Sequence, residues 1–372
     1  MTTATGVGYA LARLSVVMAP DPSSELEVEG VLNPASGRTP DGRLHLLPRM
    51  VAAGNVSRVG LAEVMFDAGV PVGVQRRGVV LSPDAAWERG HANAGVEDPR
   101  ITYIARLGVH LMTYVAYGPL GPRLALAVSG DLVHWRRLGP VHFEHQPDLD
   151  TDLNLFPNKD AVFFPEPVRD PTGGIAYAML HRPMWDLGWI RPGEGERPPT
   201  GLGDGRPGIW ISYVPAAAVE ADIGAIVHLR HHRLVALSEY SYELLKIGAG
   251  PPPVRVDEGW LLLHHGVAGT MLPGWGVQQH LEYSAGAMLL DPEDVGRVLA
   301  RTPEPILSPE TDDERHGVAP NVVFPTAVEE IEGVHYVFYG MADSRIGVAR
   351  LDRIPINAGH RPASSPLIGV TT

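Results

Sequence analysis

Short apolar runs, each entered through small turn residues, recur along the chain at wide and similar intervals. Five copies share one pattern, a small or acidic residue, a glycine and then an alternating apolar run. They are DGRLHLLPRMV from Asp41, RLGVHLMTYVAYG from Arg106, TGGIAYAMLHRPM from Thr172, DEGWLLLHHGV from Asp257 and IEGVHYVFYGMAD from Ile331. Each reads as a turn followed by a strand. Their spacing is about 65 to 85 residues. A further strand follows four of them, in RLALAVSGDLVHW, GIWISYV, SAGAMLLD and RIGVARL. Four strands per unit in five units predicts an all-β chain folded as a five-bladed β-propeller, with a pair of β-sandwiches as the competing arrangement. Helical periodicity is scarce. The best short helices are PEDVGRVLA (292–300), with proline at its start, and PAAAVEADIGAIV (215–227). The expected organisation is one propeller catalytic domain over 1–372, with N- and C-terminal extensions.

Composition sharpens this picture. The 42 glycines and 35 prolines among 372 residues imply many tight turns, which favours strands over helix bundles. There is no cysteine, so disulfides, thiolate metal sites and a cysteine nucleophile are excluded. A net charge of −13 argues against nucleic acid, whose backbone needs a basic face. No stretch has the roughly 20 apolar residues of a membrane helix, and the first residues do not read as a signal peptide, so a cytoplasmic protein without a membrane partner is expected.

Two segments, 184–208 and 266–282, are rich in glycine and proline and read as long loops. Their Trp185, Trp189 and Trp275 suit stacking on sugar rings as well as anchoring a loop. Polar residues recur beside core strands in all five units: Arg49, Asp98, Arg100, Lys159, Asp160, Arg182, Lys246, His265, Tyr283, Asn321 and Asp343. Ionisable groups beside apolar strands are costly unless paired or used, so a shared central site is the economical reading. No nucleophile elbow, zinc-protease motif or phosphate-binding P-loop is present. HLRHHR (228–233) reads as a basic, solvated strand or turn rather than a metal site, and no metal is expected. What remains is carboxylates beside cations. A carboxyl facing a glycosidic oxygen acts as general acid, and Lys, Arg, His and Tyr together suit phosphate or carboxylate.

The motifs LNPA (32–35), LLPR (46–49), GVEDPRIT (95–102), NKDAVFFPE (158–166), MLHRP (179–183), IGAGPPPVRVDEGWLLLHHGV (247–267), SAGAMLLDPEDVGRVLARTPEPILSPE (284–310) and PNVVFPT with VFYGMADSRIGVAR (320–350), in this order, resemble glycoside hydrolase family 130. That family holds β-mannoside phosphorylases and β-1,2-mannosidases, and its fold is a five-bladed propeller. The resemblance implies that Asp98 is the catalytic general acid, passing its proton through a mannose hydroxyl to the glycosidic oxygen. It implies that Asn33, Arg49 and Asp343 hold the mannosyl unit, and that Lys159, Arg182, Lys246, His265 and Tyr283 bind phosphate. One arginine of the family's set is then a lysine here, which keeps charge but loses the bidentate fork.

The implied reaction is inverting phosphorolysis of a β-1,2- or β-1,4-linked manno-oligosaccharide to α-mannose 1-phosphate. Inorganic phosphate is the co-substrate, and no cofactor is expected. The alternative is an inverting β-1,2-mannosidase, which needs a carboxylate base, with Glu166 and Glu282 as candidates. A non-catalytic glycan-binding propeller is the remaining reading. Retention of the cations favours the phosphorylase. Glu97 is expected to position the site or accept from Arg100. Members of the family often associate, so a homo-oligomer is left open.

Overall fold

The computed structural model describes residues 7–355 apart from 188–190, 192 and 271–279. Strands group into five antiparallel, four-stranded blades. The first blade comprises Gly30–Arg38, Leu44–Ala52, Val56–Asp67 and Val70–Leu81. The second comprises Ala94–Ile104, Val109–Gly118, Gly121–Ser129 and Arg136–Pro140. The third runs Asn158–Phe163, Ile175–Pro183, Ile209–Pro215 and His228–Ala236. The fourth runs Lys246–Ala249, Gly259–Gly269, Leu281–Leu290 and Val298–Arg301. The fifth takes Val323–Ile331, Val334–Met341 and Arg345–Pro355 from the C-terminal end and is completed by the N-terminal strand Val7–Met18. That last pairing closes the ring with chain from both ends.

The core shows why the blades stand radially. Among the described residues it has five large apolar clusters, each between two neighbouring blades, and a small sixth of Ala319, Val322 and Phe324. Val96 and Met112 meet Leu47 and Val59 between the second and first. Leu126 meets Phe163 between second and third, and Ile211 meets Leu262 between third and fourth. Leu263 meets Val337 between fourth and fifth, and Phe338 meets Leu46 between fifth and first, which completes the circle. Successive side chains of a strand point to opposite faces. Leu262 therefore enters one cluster while Leu261 and Leu263 enter the next. A blade buried on both faces needs continuous apolar runs rather than strict alternation. The five recurring segments of the sequence are the second strands of the five blades, and the strands read after them are the third.

Two expected helices fare differently. Residues 215–227 form the helix Ala216–Ala221 and the 3-10 turn Ile223–Val227. Residues 292–300 do not form a helix. They make turns that lead into the outer strand Val298–Arg301, because Val298 pairs with Leu290 at the blade edge and Val295 is buried in the core. HLRHHR is the start of the third blade's outer strand, and His232 is buried there instead of solvated, bonded to Ser212 Oγ and to the Glu144 carbonyl. No helix among the described residues is long and apolar enough to cross a membrane.

Candidate active site

The inner strands all start at one end of the ring, and polar residues gather at those starts. Asn33, Asp98, Asp160 and Asn321 share a left-handed backbone, with φ of 43°, 48°, 54° and 59°. In the first three blades this residue sits where the register to the second strand slips, a bulge. Asparagine and aspartate tolerate that conformation better than other side chains. LNPA, EDPR and KDAV are therefore one structural device used three times, which re-aims a polar side chain toward the axis. In the fourth blade the register runs on without a slip, and a Cβ at Gly248, opposite His265, would collide with Asp160 Oδ2 and the His265 ring. The missing side chain makes room for its neighbours.

Around Asp98 the contacts are dense. Asn33 Nδ2 donates to Asp98 Oδ1 at 2.8 Å, and Arg49 Nη1 donates to the same oxygen at 3.1 Å. Arg49 also donates to Glu97 Oε1 at 2.8 Å and to Ser57 Oγ at 2.8 Å. Lys159 Nζ lies 3.4 Å from Glu97 Oε2 and 4.0 Å from Asp98 Oδ2. Burial alone would push the Asp98 carboxyl up, but Arg49, Lys159 and Arg100 outweigh it and hold the group down to about 2. Asp343, on the turn after Val334–Met341, has the opposite balance. Burial, with Asp98 and Glu97 adding repulsion, lifts it to about 6 against the pull of Arg49 and Lys159.

Glu97 thus accepts from Arg49 and Lys159, not from Arg100 as expected. Arg100 is turned into the axis, 1% exposed, and donates to main-chain carbonyls: Nε to Gly250 at 2.9 Å and Nη1 to Asp98 at 3.2 Å. Its guanidinium lies 5.3 Å from the Phe324 ring centroid. Arginine and ring pack together beside the carboxylates.

The third and fourth blades carry the other half. Arg182 is opposite Lys159 on the second strand, and its Nε donates to Asp160 Oδ2 at 2.5 Å. His265 is opposite Gly248, with Nε2 3.5 Å from the same oxygen. Lys246 Nζ lies 5.3 Å from the Tyr283 ring centroid, and no carboxylate comes within 4 Å of it among the described residues. Arg182 Nη1 and both His265 ring nitrogens are buried without a hydrogen-bond partner. Burial, with Arg182 and Lys159 adding repulsion, pushes the Lys246 ammonium down to about 7. Burial, reinforced by Arg182 and Lys246, pushes His265 to about 3, so its ring is neutral at ordinary pH. Burial lifts Tyr283 to about 12. Buried donors left over around one carboxylate make a socket short of negative charge.

All nine residues proposed from the sequence fall in these two adjoining groups. Glu166 and Glu282 do not. Glu166 is exposed beyond the far end of its inner strand. Glu282 is exposed and accepts from Ser284, on the strand face opposite to Tyr283. Trp185 is a core residue, 1% exposed between Phe156 and Trp210. Trp189 and Trp275 lie outside the described residues. No cluster of three or more metal-ligating side chains forms among the described residues.

Residues 224–356 match the family model described as beta-1,4-mannooligosaccharide phosphorylase. The chain is 32% identical over 301 residues to a beta-1,2-mannobiose phosphorylase of Thermoanaerobacter, covering 80% of this chain and 76% of that one. It is 30% identical over 351 residues to a 1,2-beta-oligomannan phosphorylase of the same organism, covering 92% and 97%. The chain belongs to glycoside hydrolase family 130. The fold agrees. The Listeria innocua beta-1,2-mannobiose phosphorylase superposes with a TM-score of 0.67 at 21% identity, over 94% of this chain and 97% of that one. A structure of a glycoside hydrolase of family 130 that targets beta-1,2 mannosidic linkages in Candida mannan superposes at 0.68 and 22%, over 99% of both. Both phosphorylases and hydrolases therefore occur in the family, and this chain's own residues must separate them. Two features of the site were not read from the sequence, the clearance at Gly248 and the packing of Arg100 on Phe324.

Proposed function

We propose that this family 130 enzyme is an inverting β-mannoside phosphorylase that releases α-mannose 1-phosphate. The observation that carries the reading is the socket of Arg182, Lys246, His265 and Tyr283 beside Lys159, with buried donors and a lysine that has no carboxylate partner. Phosphate fits such a socket in size, charge and donor demand. Asn33, Arg49 and Asp343 hold the mannosyl unit next to Asp98. Phosphate then reaches the anomeric carbon from the third and fourth blades. The C–O bond to the acceptor breaks, a P–O–C bond forms with inversion, and the acceptor oxygen takes a proton that originates at Asp98.

Without phosphate beside it, Asp98 is held as a carboxylate. Arriving phosphate brings negative charge beside Lys159 and offsets the field that depresses Asp98. A like charge nearby raises a carboxyl pKa, so loading the nucleophile prepares the acid. No second carboxylate is required, because phosphate is the nucleophile. The exposed positions of Glu166 and Glu282 weigh against a water-activating base at either residue. Chain localisation in the cytoplasm, where phosphate is plentiful, is part of the same proposal.

The test is incubation of the protein with β-1,2-mannobiose and with β-1,4-mannobiose, each with and without millimolar phosphate. Mannose 1-phosphate formed only with phosphate is expected. Free mannose released at an equal rate without phosphate would make the enzyme a hydrolase.

A further inference from the structure

The far ends of the inner strands surround an opening that none of the nine site residues lines. It is a cavity of about 660 Å³, and every blade contributes to it. We propose that this opening is a second carbohydrate site, which takes a neutral pyranose unit of an oligosaccharide. Its chemistry differs from that of the phosphate socket. Its cations already have partners. Arg38 faces Glu329 at 3.7 Å, and the Arg255 guanidinium lies 5.1 Å from the Trp260 ring centroid. His335 faces Glu330 at 3.7 Å. With two arginines against two glutamates, the wall has no excess charge to attract an ion.

The wall instead interleaves apolar surface with donors and acceptors. Tyr103 is 52% exposed, and its ring packs on the His110 ring at 4.8 Å. Pro165, Pro252 and Pro253 add apolar surface. Ser36 Oγ donates to Glu329 Oε1 at 2.6 Å, which holds that carboxyl at the wall. His110 is 5% exposed, lines the cavity, and its ring is hydrogen-bonded to the Arg38 main chain, which fixes it as part of the wall. A half-exposed aromatic face beside fixed polar groups suits a molecule with one C–H face and a rim of hydroxyls, as a pyranose has. An inorganic anion would find none of the leftover positive charge present at Lys246.

The inference stands apart from the proposed reaction, because the cavity shares no lining residue with the nine of the site. Its test is a phosphate-free titration of the full chain with β-1,2-mannobiose, β-1,4-mannobiose and cellobiose, followed by saturation-transfer NMR. Wild type is compared with Tyr103→Ala and Gly130→Trp. Gly130 lines the cavity, and a Cβ there meets open space, so the indole fills the opening without displacing the core. Two binding events per chain are expected for at least one disaccharide. Tyr103→Ala is expected to weaken one of them about three- to tenfold, and Gly130→Trp to remove it. Turnover in the active site and the thermal midpoint are expected to stay near wild type in both variants. One event only with all three sugars, or two events that neither variant changes, would overturn the proposal. Failure of the proposed reaction would appear separately, as absent mannose 1-phosphate with the second event intact.

Discussion

The acidic half of the site, around Asp98, and the cationic half, around Lys246, solve the same problem in opposite ways. Both bring ionisable groups out of water on inner strands. In the acidic half the two adjacent carboxylates are paired: Asp98 takes bonds from Asn33 and Arg49, and Glu97 takes them from Arg49 and Lys159. Asp98 is accordingly driven down to about 2, while burial leaves Asp343 raised to about 6. In the cationic half Asp160 pairs with Arg182 and faces the His265 ring, and Lys246 feels Asp160 and Asp343 without pairing to either. Lys246 answers by dropping to about 7, and donors remain unused. Charge that is not satisfied internally is available to a ligand. A half that is complete without substrate positions; a half that is incomplete binds.

The sharpest way to break this comparison is Asp98→Asn. Loss of a general acid is expected to lower kcat roughly 10³-fold, with the thermal midpoint little changed. Near-normal turnover would remove Asp98 from the chemistry. Next is Arg182→Met, which deletes charge-assisted bonds to phosphate and is expected to raise KM for phosphate about 10- to 100-fold. Binding of mannobiose without phosphate stays the same if the two halves are separate, and an equal loss in both would merge them. Gly248→Ala tests the clearance. Its methyl meets Asp160 and His265, so phosphate affinity is expected to fall while KM for mannobiose holds.

A smaller effect is set by pH. The Lys246 cation is present below about 7 and lost above it, so KM for phosphate is expected to climb several-fold from pH 6.5 to 8.5. Lys246→Arg flattens that climb, because guanidinium keeps its charge. The same shift acts on stability. The folded lysine binds its proton less tightly than an unfolded one near 10.5, so without phosphate the folded state gains stability as pH rises from about 7 toward that value. Thermal melts of wild type and Lys246→Met across this range check the sign, since the variant loses the dependence. The smallest effect is expected for Glu166→Gln and Glu282→Gln, whose turnover stays within about twofold of wild type, as for exposed positions away from the chemistry. A collapse of activity in either would revive the water-activating base.

Much of this was legible in the chain before any coordinates. DGRLHLLPRMV and its four counterparts showed five units, because a strand buried on both faces must be apolar along its length. Asp98, Arg182 and His265 stood out because ionisable residues are unusual inside such runs. The helix expected over 292–300 was wrong because blade-edge pairing at Val298 and core burial of Val295 override local propensity. Trp185 suited sugar stacking by composition, yet the core between the second and third blades claims it.

The amino-acid order by itself determined the blades, their number and the residue types brought to the axis. These follow from short apolar runs and from turn residues, which act within a few positions of chain. Only the tertiary structure decided which partner each charge acquires. Glu97 faces Arg49 and Lys159 from two other strands rather than Arg100 three residues away, and Lys246 is left without a carboxylate. Pairing depends on distances of a few ångströms between residues from different blades, and those distances exist only once the ring has closed.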